Sequence, residues 1–196
     1  MNTQHRLTDE FLNSFDSADR IHKAIILDSG CGDCYASNLL ATYGAELVIA
    51  HDPYIAPPTI LRPTVKHIKY MTPLCDTYNI IWSHHVIEHV DSPVYYLTEL
   101  RDQLKESGEL WLGCPNTANN HVFSDGHIHN FTLGNLMLCL QRAMFDTKSM
   151  KWWTTDGQLR VRIRKRGECS WPLEFHTAFA SNKHFDITKL PTKKEW

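Results

Sequence analysis

No stretch of this 196-residue chain approaches the ~20 consecutive apolar residues that a membrane-spanning helix requires. The opening Met1-Asn2-Thr3-Gln4-His5-Arg6 has no apolar core of the kind a secretory signal carries, so a cytoplasmic location is expected. Charge of one sign is also missing. Twenty Lys and Arg against 22 Asp and Glu leave a net −2, which argues against a chain built mainly to coat nucleic acid. There is no internal repeat, no low-complexity segment, no G-x-S-x-G nucleophile elbow and no G-x-x-x-x-G-K-[ST] phosphate loop. The six cysteines (31, 34, 75, 114, 139 and 169) show no secreted disulfide framework, and several fall in predicted strands or helices, where a reduced thiol acts as a small hydrophobe. At this length, with 42% apolar residues, one domain with one substantial core is expected.

The pattern that is present alternates strand and helix, the mark of an α/β fold with a mostly parallel sheet covered on both faces. Thr8 to His22 reads as a leading helix with Phe11, Leu12, Phe15 and Ile21 on its apolar side. Strands are predicted at 24–28, 46–52, 65–71, 78–84 and 109–114, and a helix at 33–43. Four prolines between 53 and 64 predict an extended loop in place of a helix. Ser92-Pro93 opens a helix through Leu97, Leu100 and Leu104, and Thr132 caps another through Leu133, Leu136, Met137, Leu140 and Met144. A hairpin, about 146–154 and 158–166, turns at Asp156-Gly157. The organisation expected is an N-terminal helix over 1–23, a domain over 24–166 and an aromatic-rich extension over 167–196.

The first predicted strand ends Leu27-Asp28-Ser29 and runs into Gly30-Cys31-Gly32 at the start of a helix. That geometry offers backbone N–H groups and a positive helix N-terminus to a ligand. The second strand ends at Asp52, where a carboxylate can accept the hydroxyls of a ribose. A dinucleotide fingerprint would want a third glycine at Tyr35. Cys31-Gly32-Asp33-Cys34 is formally a C-x-x-C. A redox motif would leave Gly30, Gly32 and Asp52 unexplained, and a zinc site would want a second C-x-x-C.

Asp28-Ser29-Gly30-Cys31-Gly32 resembles motif I of the class I S-adenosylmethionine (SAM) dependent methyltransferases, with Asp52 where their ribose-binding acid stands. The resemblance continues through Asn79-Ile80-Ile81-Trp82-Ser83-His84-His85-Val86-Ile87-Glu88-His89, similar to the fourth strand and "LEH" segment. It extends to Leu104-Lys105-Glu106-Ser107-Gly108 and Cys114-Pro115-Asn116, similar to the "LKPGG" turn and "PN" ending. Cys34 replaces a third glycine, Asn79 an acid, and Glu106-Ser107 the proline of the turn. The resemblance implies a Rossmann-like, seven-stranded sheet with a C-terminal antiparallel hairpin and SAM as cofactor. Asp28, Ser29, Gly30, Cys31, Gly32, Asp52, Pro53, Met71, Thr72, Ser83 and His84 would bind that cofactor.

The carboxyl edge of such a sheet also collects His84, His85, His89, His121, His127 and His129. An oxygen or nitrogen acceptor must lose a proton during methyl transfer, and His89, His127 and His129 are the expected bases. His85-Val86-Ile87-Glu88-His89 is similar to the Glu-x-x-Glu-His segment of the small-RNA 3′-terminal 2′-O-methyltransferases, and ubiquinone-pathway O-methyltransferases have a related one. That likeness implies a divalent ion held by His85, Glu88, His89 and His127, with a nitrogen ligand tilting preference from magnesium toward zinc, manganese or iron. Arg160, Arg162, Arg164 and Arg166 alternate along one strand, which reads first as a sheet edge guarded by charge and second as a grip on a phosphate backbone. The leading expectation is O-methylation of a small molecule or glycan precursor. A nucleic-acid terminus comes second, and a catalytically inert SAM-fold protein working through its aromatic tail comes third.

Overall fold

A computed structural model of the chain describes residues 3–13, 17–56, 58, 60–70, 77–117, 126–155 and 157–165. Its elements are α1 (Thr3–Asn13), α2 (Ser17–Ile21), β1 (Ile25–Ser29), α3 (Tyr35–Thr42), β2 (Leu47–His51), β3 (Val65–Ile68), β4 (Tyr78–His84), α4 (Pro93–Gln103), β5 (Leu104–Pro115), α5 (Leu133–Arg142), β6 (Phe145–Thr155) and β7 (Gln158–Lys165). The strands form one sheet ordered β3-β2-β1-β4-β5-β7-β6. The first five are parallel, while β7 runs antiparallel to both β5 and β6. β1 is central, and the chain reverses direction across the sheet between β1 and β4. Ligands of open α/β sheets bind at that switch point.

Local chemistry accounts for the helix ends. The Ser92 hydroxyl accepts from Tyr95 N with Pro93 in the first turn of α4, and Thr132 and Asn135 form a reciprocal capping box on α5. α4 and α5 cover one face of the sheet, where Leu97, Leu100, Leu136 and Leu140 meet Leu27, Ile81, Leu110, Val161 and Ile163. On the other face Phe11, Leu12, Ile21 and Leu40 from the first three helices meet Ile26, Val48, Trp82 and Trp111.

Three expectations change. The leading helix starts at Thr3, not Thr8, because Leu7, Phe11 and Leu12 together form its buried side; a separate short helix follows at Ser17–Ile21. The turn expected before 109 is a bulge within β5. Tyr78 pairs with Leu104 and Ile80 with Glu109, so the four residues Lys105–Gly108 stand opposite Asn79 alone. The arginine strand is not an edge. β7 lies between β5 and β6, and Arg160 and Arg162 are buried at 1% and 5% exposure. Arg160 donates to Glu10 and to the Leu7 carbonyl; Arg162 and Arg164 pair with Glu109, which also receives Arg20. The N-terminal helices cover part of this face, so the Arg160 and Arg162 guanidinium groups act as buried struts. Arg166, Phe15, Met71, Thr72, His121, Asp156 and the 167–196 extension lie outside the described residues. No described helix is long and apolar enough to cross a membrane.

Candidate active site

Beyond the carboxyl end of β1 and β4 lies a cleft of about 320 Å³. It is lined by Asp28, Gly30, Cys31, Gly32, Asp33, Tyr35 and Ala36 on the β1–α3 side, by Trp82, His84, His85, His89 and His127 opposite, and by Gln4, His5 and Thr8 of α1 above.

The two glycines of the loop serve different ends. Gly30 has φ +77°, and a Cβ there would lie 2.3 Å from Val86 Cγ2, so it is needed for packing against the segment after β4. Gly32 has φ +51° and nothing within 4 Å of where its Cβ would sit, which leaves its backbone open to an approaching ligand. The loop is fixed from below by Gly30 N and Cys31 N donating to the His51 carbonyl. Cys34, in the position of the missing third glycine, takes the left-handed conformation (φ 60°) that glycine would have supplied.

Asp28 is buried and accepts from the Ser37 hydroxyl at 2.5 Å. Burial is the main cause that raises its carboxyl from 3.8 to about 7, opposed by the Ser37 bonds and reinforced by Asp52 and Asp33. Asp52 does not line the cleft. Its Oδ2 accepts from Gly32 N at 3.1 Å and its Oδ1 from Tyr54 N and Ile55 N at 2.9 Å, so it holds the loop's shape. Of the roughly four lone-pair sites on a carboxylate, three are engaged. Asn79, in place of the acid that opens the fourth strand in the family, accepts from Ile25 N and from Lys105 Nζ through the same oxygen.

Ser29 and Ser83 were expected at the cofactor, but both hydroxyls bond to Tyr96 OH of α4, at 3.0 and 2.8 Å, on the opposite side of the sheet. The period-2 alternation of β1 and β4 sends them there, while Asp28 and Trp82 face the cleft side. Pro53 is exposed and also outside the cleft lining.

The histidines divide likewise. Glu88, His89 and His127 bring one ligand atom each within 4.8 Å of one another, and His85 Nδ1 lies 3.1 Å from Glu88 Oε1. Glu88 is fully buried, and beyond this His85 contact, which lacks hydrogen-bond alignment, neither carboxylate oxygen has a hydrogen bond; Nδ1 of His127 and Nε2 of His85 are also buried without partners. His89 Nδ1 lies 2.8 Å from the Gly126 carbonyl, which assigns the proton to Nδ1 and leaves the Nε2 lone pair available. Ile128 N and His129 N both donate to the Glu88 carbonyl, tying the later loop to this segment. Burial lowers the His127 pKa, with His89 and His85 adding to the effect and Glu88 opposing it, so its imidazole is neutral at pH 7. His129, expected as a base, turns out of the cleft to within 3.4 Å of the Asp91 carbonyl. His127, two residues earlier, lines the cleft instead.

His84 is half-buried against Phe11 and His85, with Nδ1 3.4 Å from the Thr8 hydroxyl, and desolvation holds it well below the usual imidazole range. α1 was not anticipated at the site. His5 stacks on Tyr35 at 3.8 Å and reaches Asp33 Oδ2 at 2.7 Å, while Tyr35 OH donates to Asp9. Gln4 and Thr8 at i, i+4 were the available signal, a polar stripe beside the apolar one of Leu7 and Phe11.

Residues 3–161 match a family model described as a methyltransferase domain. A comparison with curated proteins finds no match. Among solved structures, a SAM-dependent methyltransferase from Mesorhizobium loti superposes with a TM-score of 0.62 at 12% identity, covering 80% of this chain and 96% of that one. A 1,6-didemethyltoxoflavin N1-methyltransferase from Burkholderia thailandensis, with its substrate and S-adenosylhomocysteine bound, gives 0.61 at 15%, covering 85% and 92%. The magnesium protoporphyrin IX methyltransferase of Synechocystis gives 0.62 at 14%, covering 83% of each chain. With the family match spanning most of its length and a glycine turn at the switch point of its seven-stranded sheet, the chain belongs to the methyltransferase domain family and is a class I SAM-dependent methyltransferase.

Proposed function

We propose that SAM lies across Gly30–Gly32, with its methyl group directed at the wall formed by His85, His89 and His127, and that the acceptor is a hydroxyl of a small molecule. The sulfonium is already a strong electrophile, so the protein's part is alignment and removal of the acceptor proton. The acceptor oxygen bonds to the methyl carbon as the carbon–sulfur bond breaks, and the hydroxyl proton passes to His89 Nε2 or to His127. The observation that carries this reading is that both imidazoles are at one wall of the cleft, with burial keeping His127 neutral and a carbonyl bond orienting His89. Asp28 faces the same cleft and suits the α-ammonium of SAM. A small molecule is favoured over a nucleic-acid terminus because Arg160 and Arg162 are committed to buried contacts and present no basic face. The Burkholderia enzyme likewise takes a small molecule.

A divalent ion held by the same residues would take over activation of the hydroxyl from the imidazole base, since a nitrogen that binds the ion cannot also accept the proton. Glu88 carries two buried oxygens without a hydrogen bond, within 4.8 Å of ligand atoms on His89 and His127, which is a donor set that fits a cation. Glu88, His89 and His127 would hold it, with His85 next to Glu88. Once bound it would lower the pKa of an acceptor hydroxyl.

Calorimetry with SAM, S-adenosylhomocysteine and NAD tests the cofactor; heat with the first two and none with NAD is expected, and the reverse overturns the assignment. Thermal-shift measurements with manganese, on wild type and Glu88→Gln, test the ion. A metal-dependent rise in Tm that the variant loses is expected, and equal rises in both proteins end the metal reading.

A further inference from the structure

The motif I loop holds a second cluster of ligand atoms that methyl transfer does not use. Cys31 and Cys34 are both buried, with sulfurs 3.6 Å apart, and a ring nitrogen of His67 completes a group whose members all lie within 4.8 Å of one another. His67 reaches the loop from β3, two strands away. Register pairs His67 with Ala50 and Ala50 with Asp28, so the three share one row on one face of the sheet. Ala50, the residue between, is small enough to leave the space above it to the loop. Sequence alone disfavoured a metal here because no second C-x-x-C exists; the sheet supplies a histidine instead.

We propose that Cys31, Cys34 and His67 form a binding site for a thiophilic dication, zinc(II) by its donor set. Tetrahedral zinc with Zn–S bonds of about 2.3 Å puts its sulfur ligands about 3.8 Å apart. The observed 3.6 Å matches that edge, whereas a disulfide needs the sulfurs to close to about 2.05 Å. Nε2 of His67 is buried without a hydrogen-bond partner. A disulfide would leave that nitrogen unsatisfied, while a metal satisfies all three groups at once.

The turn itself is suited to the task. Cys34 N donates to the Cys31 carbonyl at 2.8 Å, and Cys34 sits in the left-handed region, so the chain doubles back and presents both sulfurs to the same side. On binding, each thiol releases one proton to solvent, and the two thiolates neutralise the dication. The bound ion would tie β3 to the loop that carries Gly30 and Gly32. Cys34 and His67 do not line the cleft although Cys31 does, and none of the three belongs to the Glu88 cluster.

Cobalt(II) titration of the reduced full chain, freed of metal beforehand, provides the test. A thiolate-to-cobalt charge-transfer band saturating at one equivalent, and displaced by zinc, is expected. Cys34→Gly should abolish the band while keeping the fold, because glycine adopts the backbone conformation found there. His67→Gln should weaken cobalt affinity at least tenfold, and Glu88→Gln should leave the band intact. The proposal is overturned if wild type shows no band with its thiols reduced, or if the band survives Cys34→Gly.

Discussion

Gly113 and His84 sit opposite each other on β5 and β4, and a methyl group on Gly113 would lie 2.2 Å from His84 Cδ2. The absent side chain on one strand is what lets the imidazole on the next lie flat at the floor of the cleft, against Phe11 and the Thr8 hydroxyl. Gly113→Ala is therefore expected to displace His84 and cost about 1–3 kcal/mol, the range for forcing extra volume into a packed site. Urea denaturation measures the loss. An unchanged midpoint would mean that His84 has a free alternative rotamer.

Asp52 braces the glycine loop through Gly32 N, and its own turn through Tyr54 N and Ile55 N, before any ribose arrives. Asp52→Ala should weaken S-adenosylhomocysteine binding by about 1.5–3 kcal/mol, the value of hydrogen bonds to a charged group. Asp52→Asn, which retains a carbonyl oxygen for the Tyr54 and Ile55 amides, should lose less. Titration calorimetry on the two variants distinguishes loop support from direct contact. Equal losses would place the whole effect on the carboxylate charge.

Asp28 makes stability depend on pH in a stated direction. Its carboxyl is raised from 3.8 to about 7 in the folded protein, chiefly by burial. Between those values the native state keeps a proton that the unfolded chain has released, so stability falls as pH rises and the contribution is gone above about 7. Asp28→Asn should remove this slope and gain up to about 4 kcal/mol relative to wild type at pH 8. His84, neutral by burial, acts in the opposite sense toward acid but is common to both proteins. Parallel stability curves for the two proteins from pH 4 to 8 would contradict the assignment.

Glu109 is the one carboxylate among Arg20, Arg162 and Arg164 in the described ion pairs, at 3.0, 2.8 and 3.4 Å. Both Glu109 and Arg162 are buried, so Glu109→Leu would strand a guanidinium charge under the N-terminal helices. A loss of about 3–5 kcal/mol is expected. Arg164 is 59% exposed at its side chain, and Arg164→Ala should cost no more than about 1 kcal/mol. Chemical denaturation of both variants checks the contrast, and similar losses would overturn it.

Much of this was legible before any coordinates. Strand β4 falls at the predicted 78–84, α4 and α5 start after the predicted Ser92 and Thr132 caps, and a central β1 feeding Gly30–Gly32 follows from a short apolar run ending at a glycine turn. These features are local: periodicity, caps and left-handed turn positions are decided by residues a few places apart. The convergence of Glu88 with His127 was also anticipated, because both lie beyond the carboxyl edge of the same parallel sheet.

What the tertiary structure alone decided is which face each side chain takes and what covers it. Ser29 and Ser83 looked like cofactor residues by position, yet strand alternation turns both to Tyr96. The alternating arginines looked like a guarded edge, but pairing on both sides of β7 and the cover of α1 made Arg160 and Arg162 buried ion-pair partners. His67 carried no signal at all, since its approach to Cys31 and Cys34 depends on the order β3-β2-β1 and a small residue at Ala50. The sequence by itself determined the elements, the glycine turn and the family, because those rest on short-range backbone chemistry. Strand order and register decided which distant groups share a face, since that depends on pairings between segments far apart in the chain.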